Sequence, residues 1–216
     1  MQPAHRPQIG VFGGSFDPVH LGHLITAEQC REQARLDQVW FVPAARPPHK
    51  LDRVLTPFAR RVEMLALAVA GHGAFRVEEI EKDRPGPSYT VDTLQELSAR
   101  QPEADWHFIM GSDSLPELPS WREPTRILQL ARLLVVARPG APVLSVKELK
   151  QALGLPATED LRLQVVAAPL IGLSSTDLRQ RVREGRSLRY LVPRAVECYI
   201  LEKRLYREDA PTAKPN

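Results

Sequence analysis

A glycine-rich block between residues 13 and 23 constrains this chain more than any other feature. It runs Gly-Gly-Ser-Phe-Asp-Pro-Val-His-Leu-Gly-His, follows the apolar run Ile9–Phe12 and leads into a helical pattern from Leu21. This order predicts a strand, a tight turn and a helix. Such a turn directs backbone N–H groups and the positive end of a helix at one point, which suits a phosphate. Because His20 and His23 lie one helical turn apart at that point, the block predicts chemistry on a bound phosphate.

Apolar runs typical of strands alternate with helical patterns along the rest of the chain. The predicted strands are Gln8–Phe12, Gln38–Pro43, Phe75–Ile80, Trp106–Gly111, Leu133–Arg138 and Leu163–Ala167. The predicted helices are Leu21–Arg35, Pro57–Ala70, Val91–Arg100, Trp121–Leu130, Val146–Leu153, Thr176–Glu184 and Pro193–Tyr206. The alternation predicts an α/β fold, a Rossmann-like doubly wound parallel sheet with helices on both faces and a C-terminal helical portion. We expect a single domain over residues 8–206 and a disordered tail over 209–216.

Composition and charge limit the kinds of molecule that we expect the chain to bind. With a net charge of +3 and no block of basic residues interleaved with aromatics, the chain is not expected to bind nucleic acid. The longest apolar run, residues 64–70, is too short to cross a membrane. Cys30 and Cys198 lack metal-site spacing and are expected to be buried, reduced thiols of a cytoplasmic protein. The sequence leaves the oligomeric state open.

The glycine-rich block does not match the two common phosphate-binding motifs. A P-loop requires Lys-Ser or Lys-Thr after the glycines, and the spacing of Gly13, Gly14 and Gly22 differs from the dinucleotide fingerprint. The block instead resembles the signature of the H-x-G-H nucleotidyltransferases, with Ser15 where that superfamily commonly has Thr. The resemblance implies that His20 and His23 contact a triphosphate and stabilise the transition state. It also implies an ATP site that includes Gly13, Gly14, Ser15 and Phe16.

A second motif is the segment from Leu173 to Arg179. Ser174 with an acidic residue three positions later predicts a helix cap. Arg179 lies within the first turns of that helix and can bind phosphate oxygens through its fork of N–H groups. Taken alone, a plain cap with a solvated arginine is the favoured interpretation. The segment also resembles the I-S-S-T-x-x-R motif of the same superfamily, which implies that Ser174, Ser175, Thr176 and Arg179 bind the leaving pyrophosphate.

Two other segments allow both an ordinary and a functional interpretation. His49 and Lys50 follow two prolines and belong either to a solvated turn or to a cationic loop that contacts phosphates. The segment resembles the P-P-H-[KR] loop of pyridine-nucleotide adenylyltransferases. Asp113 follows a predicted strand and suits either a simple turn or a ribose hydroxyl.

The segment from Ser120 to Glu123 has the spacing of a capping box, which predicts that Trp121 starts a helix. Most tryptophans pack in the core, but one at this position can instead stack on an aromatic ligand. The segment Ser88-Tyr89-Thr90 is predicted to open another helix.

Together these segments resemble the bacterial nicotinate-nucleotide adenylyltransferases, over nearly the whole chain from Ile9 to Tyr206. The resemblance implies adenylyl transfer from ATP to nicotinate mononucleotide, with Mg²⁺ delivered by ATP and no resident metal. It implies that Trp121 stacks on the nicotinate ring. Residues around Thr90 and Arg122 would hold the ring carboxylate, and His49, Lys50, Ser88 and Tyr89 would complete the substrate site.

Three alternatives remain at this stage. Another H-x-G-H adenylyltransferase would use nicotinamide mononucleotide or phosphopantetheine as the acceptor. A metal-dependent hydrolase would use His20 and His23 as ligands, although no third ligand motif follows them. A non-catalytic nucleotide sensor would keep the same fold.

Overall fold

The computed structural model describes residues 5–48, 54–137 and 144–207, and a six-stranded sheet forms its centre. The strands are β1 (Gln8–Gly14), β2 (Gln38–Pro43), β3 (Phe75–Val77), β4 (Asp105–Gly111), β5 (Arg132–Val136) and β6 (Leu163–Val166). They are parallel throughout, in the order β3-β2-β1-β4-β5-β6. The predicted doubly wound fold is therefore confirmed.

Helices connect the strands and cover the sheet. Within the described ranges they are α1 (Leu21–Gln33), α2 (Phe58–Val69), α3 (Thr90–Arg100), α4 (Pro124–Leu130), α5 (Val146–Ala152), α6 (Ser175–Arg183) and α7 (Arg194–Glu202). A 3-10 helix, Leu115–Ser120, precedes α4.

Each face of the sheet has its own hydrophobic core. Successive residues of a strand point to opposite faces, so Phe41 packs with residues of α1, α2 and α7, whereas the adjacent Trp40 packs with residues of α3 and α4. Leu134 and Leu133 divide in the same way on β5. A sheet that is buried on both faces explains why its strands are short, continuous apolar runs in the sequence.

Most predicted boundaries are within a few residues of those observed, and two of the larger differences have local reasons. The strand predicted over Phe75–Ile80 ends at Val77, because the chain turns after Glu78 and buries Ile80 in the core beneath α3. The final helix ends at Glu202 rather than Tyr206, because Arg204 and Tyr206 have φ angles of +52° and +63°, which do not continue a helix.

The two cysteines also differ from each other. Cys30 is buried, and burial raises the pKa of its thiol to about 12. Cys198 is exposed on α7, so the prediction that it is buried is wrong. Over the ranges the structure covers, no helix has the length and apolar character needed to span a membrane.

Helix α2 offers a matched test of the core. Leu65 is fully buried, whereas Leu67, two residues away, is 37% exposed. We expect Leu65→Ala to lower the free energy of unfolding by about 2–5 kcal/mol, because it removes buried methyl groups and leaves a cavity. Leu67→Ala is expected to change it by less than about 1 kcal/mol. Urea unfolding followed by circular dichroism measures both, and equal losses would contradict the assignment of the buried face.

Candidate active site

The site lies where the strand order of the sheet reverses. β1 leads to β2 on one side, whereas β4 pairs with its other side. The connections that follow β1 and β4 therefore diverge and leave a crevice beyond their carboxyl ends, which is where open parallel sheets bind ligands. Gly13 and Gly14 close β1 at this edge, and Gly111 closes β4.

The turn after β1 has an unusual backbone with a buried aromatic anchor. Phe16 has a φ angle of +48°, in the left-handed region, yet its side chain is only 2% exposed. Its ring packs edge-on against Phe12 and His23, with centroid distances of 5.6 and 5.0 Å. A Cβ at Gly14 would lie 3.0 Å from this ring. The second glycine therefore allows the anchor ring to pack beneath the turn.

The two histidines stack on each other at the start of α1. Their ring centroids are 3.7 Å apart, and the backbone N–H of His20 donates to Nδ1 of His23 at 3.2 Å. In a neutral ring this bond places the proton of His23 on Nε2. A Cβ at Gly22 would lie 3.0 Å from Nδ1 of His20. The glycine between the histidines thus leaves room for the His20 ring.

The start of α6 meets the same turn. Ser174 caps this helix by accepting from the backbone N–H of Asp177 at 3.1 Å, as predicted. Arg179 is buried and donates to the carbonyl of Asp17 and to Oγ1 of Thr176. A second helix start and a guanidinium therefore lie beside the glycine-rich turn, which gives this edge a positive potential.

A cavity of about 360 Å³ lies between the turn and the start of α6, and we call it the loop–α6 cavity. It is lined by the three predicted catalytic residues and the eight predicted ATP-binding residues: His20, His23, Arg179, Gly13, Gly14, Ser15, Phe16, Asp113, Ser174, Ser175 and Thr176. The structure thus brings together residues that are up to 166 positions apart in the sequence.

A second cavity of about 320 Å³ lies between the turn and the start of α3, and we call it the loop–α3 cavity. Five predicted substrate-binding residues line it: Ser88, Tyr89, Thr90, Trp121 and Arg122. The predicted residues His49 and Lys50 lie outside the described residues. The two cavities share the segment 13–15 and Ser114, so the glycine-rich turn faces both.

The predicted helix start at Trp121 is wrong. Ser120 ends the 3-10 helix, its hydroxyl donating to the carbonyl of Glu117 at 2.7 Å, and α4 begins only at Pro124. Trp121 and Arg122 instead lie in the connection between these two helices. The Arg122 guanidinium lies 4.9 Å from the centre of the Tyr89 ring.

Sequence reasoning missed three polar residues beside the turn, two of them buried and the third, Tyr206, partly buried. Asp17, Arg61 and Tyr206 contact the turn or each other. A signal was present for Arg61, because it lies at helical spacing on the apolar face that includes Met64 and Leu65. Asp17 lies inside the glycine-rich block but received no role.

Metal-ligating groups are sparse in the part of the chain that the structure describes. It contains no group of three His, Cys, Asp or Glu side chains that could hold a metal ion. Of the two carboxylates that line the loop–α6 cavity, Asp17 is bonded to Tyr206 and Thr56.

Comparison with known proteins places the chain in a class. Residues 11–181 match the family model described as cytidylyltransferase-like. The fold is similar to the solved structure of Plasmodium falciparum nicotinic acid mononucleotide adenylyltransferase complexed with NaAD. The TM-score is 0.75 at 18% identity, over 93% of this chain and 97% of the other. The chain is therefore a nucleotidyltransferase of the cytidylyltransferase-like family.

Relatives with higher sequence identity show which group within this family the chain belongs to. The chain is 47% identical over 201 residues to a probable nicotinate-nucleotide adenylyltransferase of Thermomicrobium roseum, covering 93% of this chain and 92% of the relative. It is 48% identical over 202 residues to one of Thermus thermophilus, covering 93% and 100%. The chain belongs to the nicotinate-nucleotide adenylyltransferase family.

The histidine pair gives the test of this site. We expect His20→Ala and His23→Ala each to lower kcat by roughly 100-fold or more, the scale for loss of a transition-state donor. His72→Ala is the control, because that histidine pairs with Glu28 away from the cavity. The assay is pyrophosphate release, with circular dichroism confirming that each variant is folded. Near-normal kcat in both active-site variants would remove the histidines from the chemistry.

Proposed function

We propose that this chain transfers the adenylyl group of ATP to nicotinate mononucleotide, giving nicotinate adenine dinucleotide and pyrophosphate. The observation that carries this proposal is the pair of cavities that meet at the glycine-rich turn. One is lined by the histidine pair, Arg179 and a helix start, and the other by the rings of Tyr89, Phe108 and Trp121 together with Arg122. Two nucleotides bound in them would bring their phosphates together at Gly13–Ser15.

The reaction is a single displacement at phosphorus. An oxygen of the mononucleotide 5′-phosphate attacks the α-phosphorus, a new P–O bond forms, and the bond to the oxygen bridging the α- and β-phosphorus atoms breaks. That electron pair leaves with pyrophosphate. Because a phosphate monoester is already largely ionised at pH 7, the nucleophile needs no strong general base. The protein must instead align two polyanions and stabilise the charge that develops.

Each side chain of the loop–α6 cavity has a role in that scheme. His20 and His23 would donate to the α- and β-phosphate oxygens, where charge builds up. Arg179 and the cap formed by Ser174, Ser175 and Thr176 would hold the departing pyrophosphate, because a helix start and a guanidinium favour an anion. Asp113, at the rim of the cavity, would accept from a ribose hydroxyl.

Magnesium enters this proposal as part of the substrate. The described donor set lacks a carboxylate cage, and Mg²⁺ commonly binds through substrate phosphates and water. Mg²⁺ bound to the ATP phosphates would neutralise part of the triphosphate charge. We also propose a cytoplasmic location, where ATP is available and thiols such as the exposed Cys198 remain reduced.

The loop–α3 cavity favours an acidic pyridine ring. The first residues of α3 line this cavity, and so does Arg122, whose guanidinium also lies 3.5 Å from the Asp92 carboxylate. The one carboxylate in the lining, Glu81, is already bonded: one oxygen accepts from Oγ1 of Thr93 at 2.6 Å and the other from the N–H of Ala45 at 3.2 Å. Each Glu81 oxygen thus already accepts one hydrogen bond, and the residue is buried. A ring carboxylate, which accepts from every donor, fits better than a carboxamide.

This argument predicts substrate selectivity. At saturating ATP, kcat/KM is expected to favour nicotinate mononucleotide over its amide by roughly ten- to thousand-fold, the value of one or two hydrogen bonds to a charged group. Trp121→Ala should raise KM for both substrates alike, because stacking does not depend on the ring substituent. Arg122→Met should reduce the preference, whereas Arg126→Met on α4 serves as an exposed control.

Product analysis by mass spectrometry, alongside pyrophosphate release, measures both activity and selectivity. Absence of dinucleotide would overturn the proposed reaction. Equal kcat/KM for the two mononucleotides, with dinucleotide formed from both, would leave adenylyl transfer intact and contradict the assignment of the loop–α3 cavity.

A further inference from the structure

Between the glycine-rich turn, α2 and the segment after α7 lies a cluster of buried and partly buried polar side chains to which the proposed reaction assigns no role. We propose that Arg61, Asp17 and Tyr206 form a clamp that fixes the turn in its phosphate-binding shape, so that Arg61 and Tyr206 are positioning residues for adenylyl transfer. We call the three the loop clamp. The proposal rests on the proposed function for its kinetic consequence.

Arg61 is the first half of the loop clamp. It is 1% exposed, on the face of α2 that also buries Met64 and Leu65. Its Nε donates to the carbonyl of Thr56 and its Nη1 to the carbonyl of Ser15, both at 2.9 Å. Burial lowers the pKa of this guanidinium, which reflects the free-energy cost of keeping a charge in the core. An apolar side chain would fill the same volume without that cost, so the two carbonyl bonds identify what the arginine contributes.

Asp17 and Tyr206 form the second half. The Tyr206 hydroxyl donates to Oδ1 of Asp17 at 2.7 Å, and the backbone N–H of Thr56 donates to Oδ2 at 3.2 Å. Asp17 is 3% exposed. Burial, together with the Asp17 carboxylate, raises the pKa of Tyr206, so its hydroxyl remains a donor throughout the neutral range. The segment that follows α7 is thereby bonded directly to the turn.

The two halves flank the strained residue of the turn. A non-glycine residue in the left-handed region is strained and persists only where its surroundings hold it. Phe16 is that residue. Arg61 fixes the carbonyl just before it, and the Asp17 bonds fix the side chain just after it. Thr56 joins the halves, because its carbonyl accepts from Arg61 and its N–H donates to Asp17.

This arrangement determines which backbone groups the turn can offer to a ligand. A trans peptide is planar, with its C=O and N–H on opposite sides. Because the Ser15 carbonyl points to Arg61, the N–H of Phe16 points away from α2. The loop–α6 cavity is lined by both Ser15 and Phe16. Loss of the clamp would let this peptide rotate and would shift the phosphates from the position in which the reaction occurs.

Three variants test the proposal. Arg61→Met keeps the length and apolar contact of the side chain but removes its donors, and Tyr206→Phe removes one hydroxyl. Arg60→Met is the matched control, because Arg60 is the adjacent residue of α2 and pairs with Glu63 at the surface. The readouts are kcat and the ATP dissociation constant by calorimetry, at a temperature where circular dichroism shows every variant fully folded.

We expect Arg61→Met to lower kcat by roughly 10- to 100-fold, the scale for a small misplacement of reacting groups. Tyr206→Phe should lower kcat by a few-fold, and Arg60→Met should match the wild type. ATP should bind more weakly to the two clamp variants than to Arg60→Met. A lower melting temperature in folded clamp variants, with wild-type kcat and ATP affinity, would overturn the proposal and leave only a structural role.

The experiment still gives an answer if a variant fails to fold or if the wild type is inactive. If Arg61→Met does not fold, Tyr206→Phe alone decides, because it changes one hydroxyl group. If the wild type itself makes no dinucleotide, the proposed function has failed. The ATP dissociation constants of the clamp variants relative to Arg60→Met then still support or overturn the clamp.

Discussion

The site depends on the glycine-rich turn after β1. This turn must bury the Phe16 ring in the core and also leave the neighbouring backbone exposed to the cavities. The left-handed backbone of Phe16 satisfies both demands, since it sends the ring into the core while the rest of the turn faces the cavities. Gly14 and Gly22 make room for the rings of Phe16 and His20. The turn also fixes the position of the His23 ring, because the backbone N–H of His20 donates to its Nδ1. Displacement of this turn would move the donors that define the site.

The parallel sheet supplies the surroundings of that turn. Because all six strands run in one direction, the connections after β1 and β4 leave from the same edge of the sheet, and the start of α6 lies at the crevice between them. The arrangement brings the histidine pair and Arg179 to one side of the turn and the rings of Tyr89 and Trp121 to the other. An enzyme that joins two phosphate-bearing nucleotides needs that division, because one substrate must bind by its charge and the other also by its ring.

Much of the fold and of the site could be predicted from the sequence, because the features involved depend on residues that are close together in the chain. The glycine-rich block, the Ser174 cap and the alternation of strands and helices each depend on residues close together in the chain. The helix start at Trp121 was mispredicted because the spacing of Ser120 and Glu123 suits a cap, whereas Pro124 and the left-handed Glu123 set the actual start. The role of Arg61 could not be predicted, because its partner Ser15 is 46 residues away and only the packing of α2 brings them together.

The central claim is that the histidine pair and the start of α6 together bind a triphosphate. A crystal structure of the chain with a non-hydrolysable ATP analogue tests it most directly. We predict ring nitrogens of His20 and His23 about 3 Å from oxygens of the α- and β-phosphates, with the terminal phosphates at the start of α6 beside Arg179. A triphosphate bound elsewhere, with both imidazoles out of hydrogen-bonding range, would contradict the account.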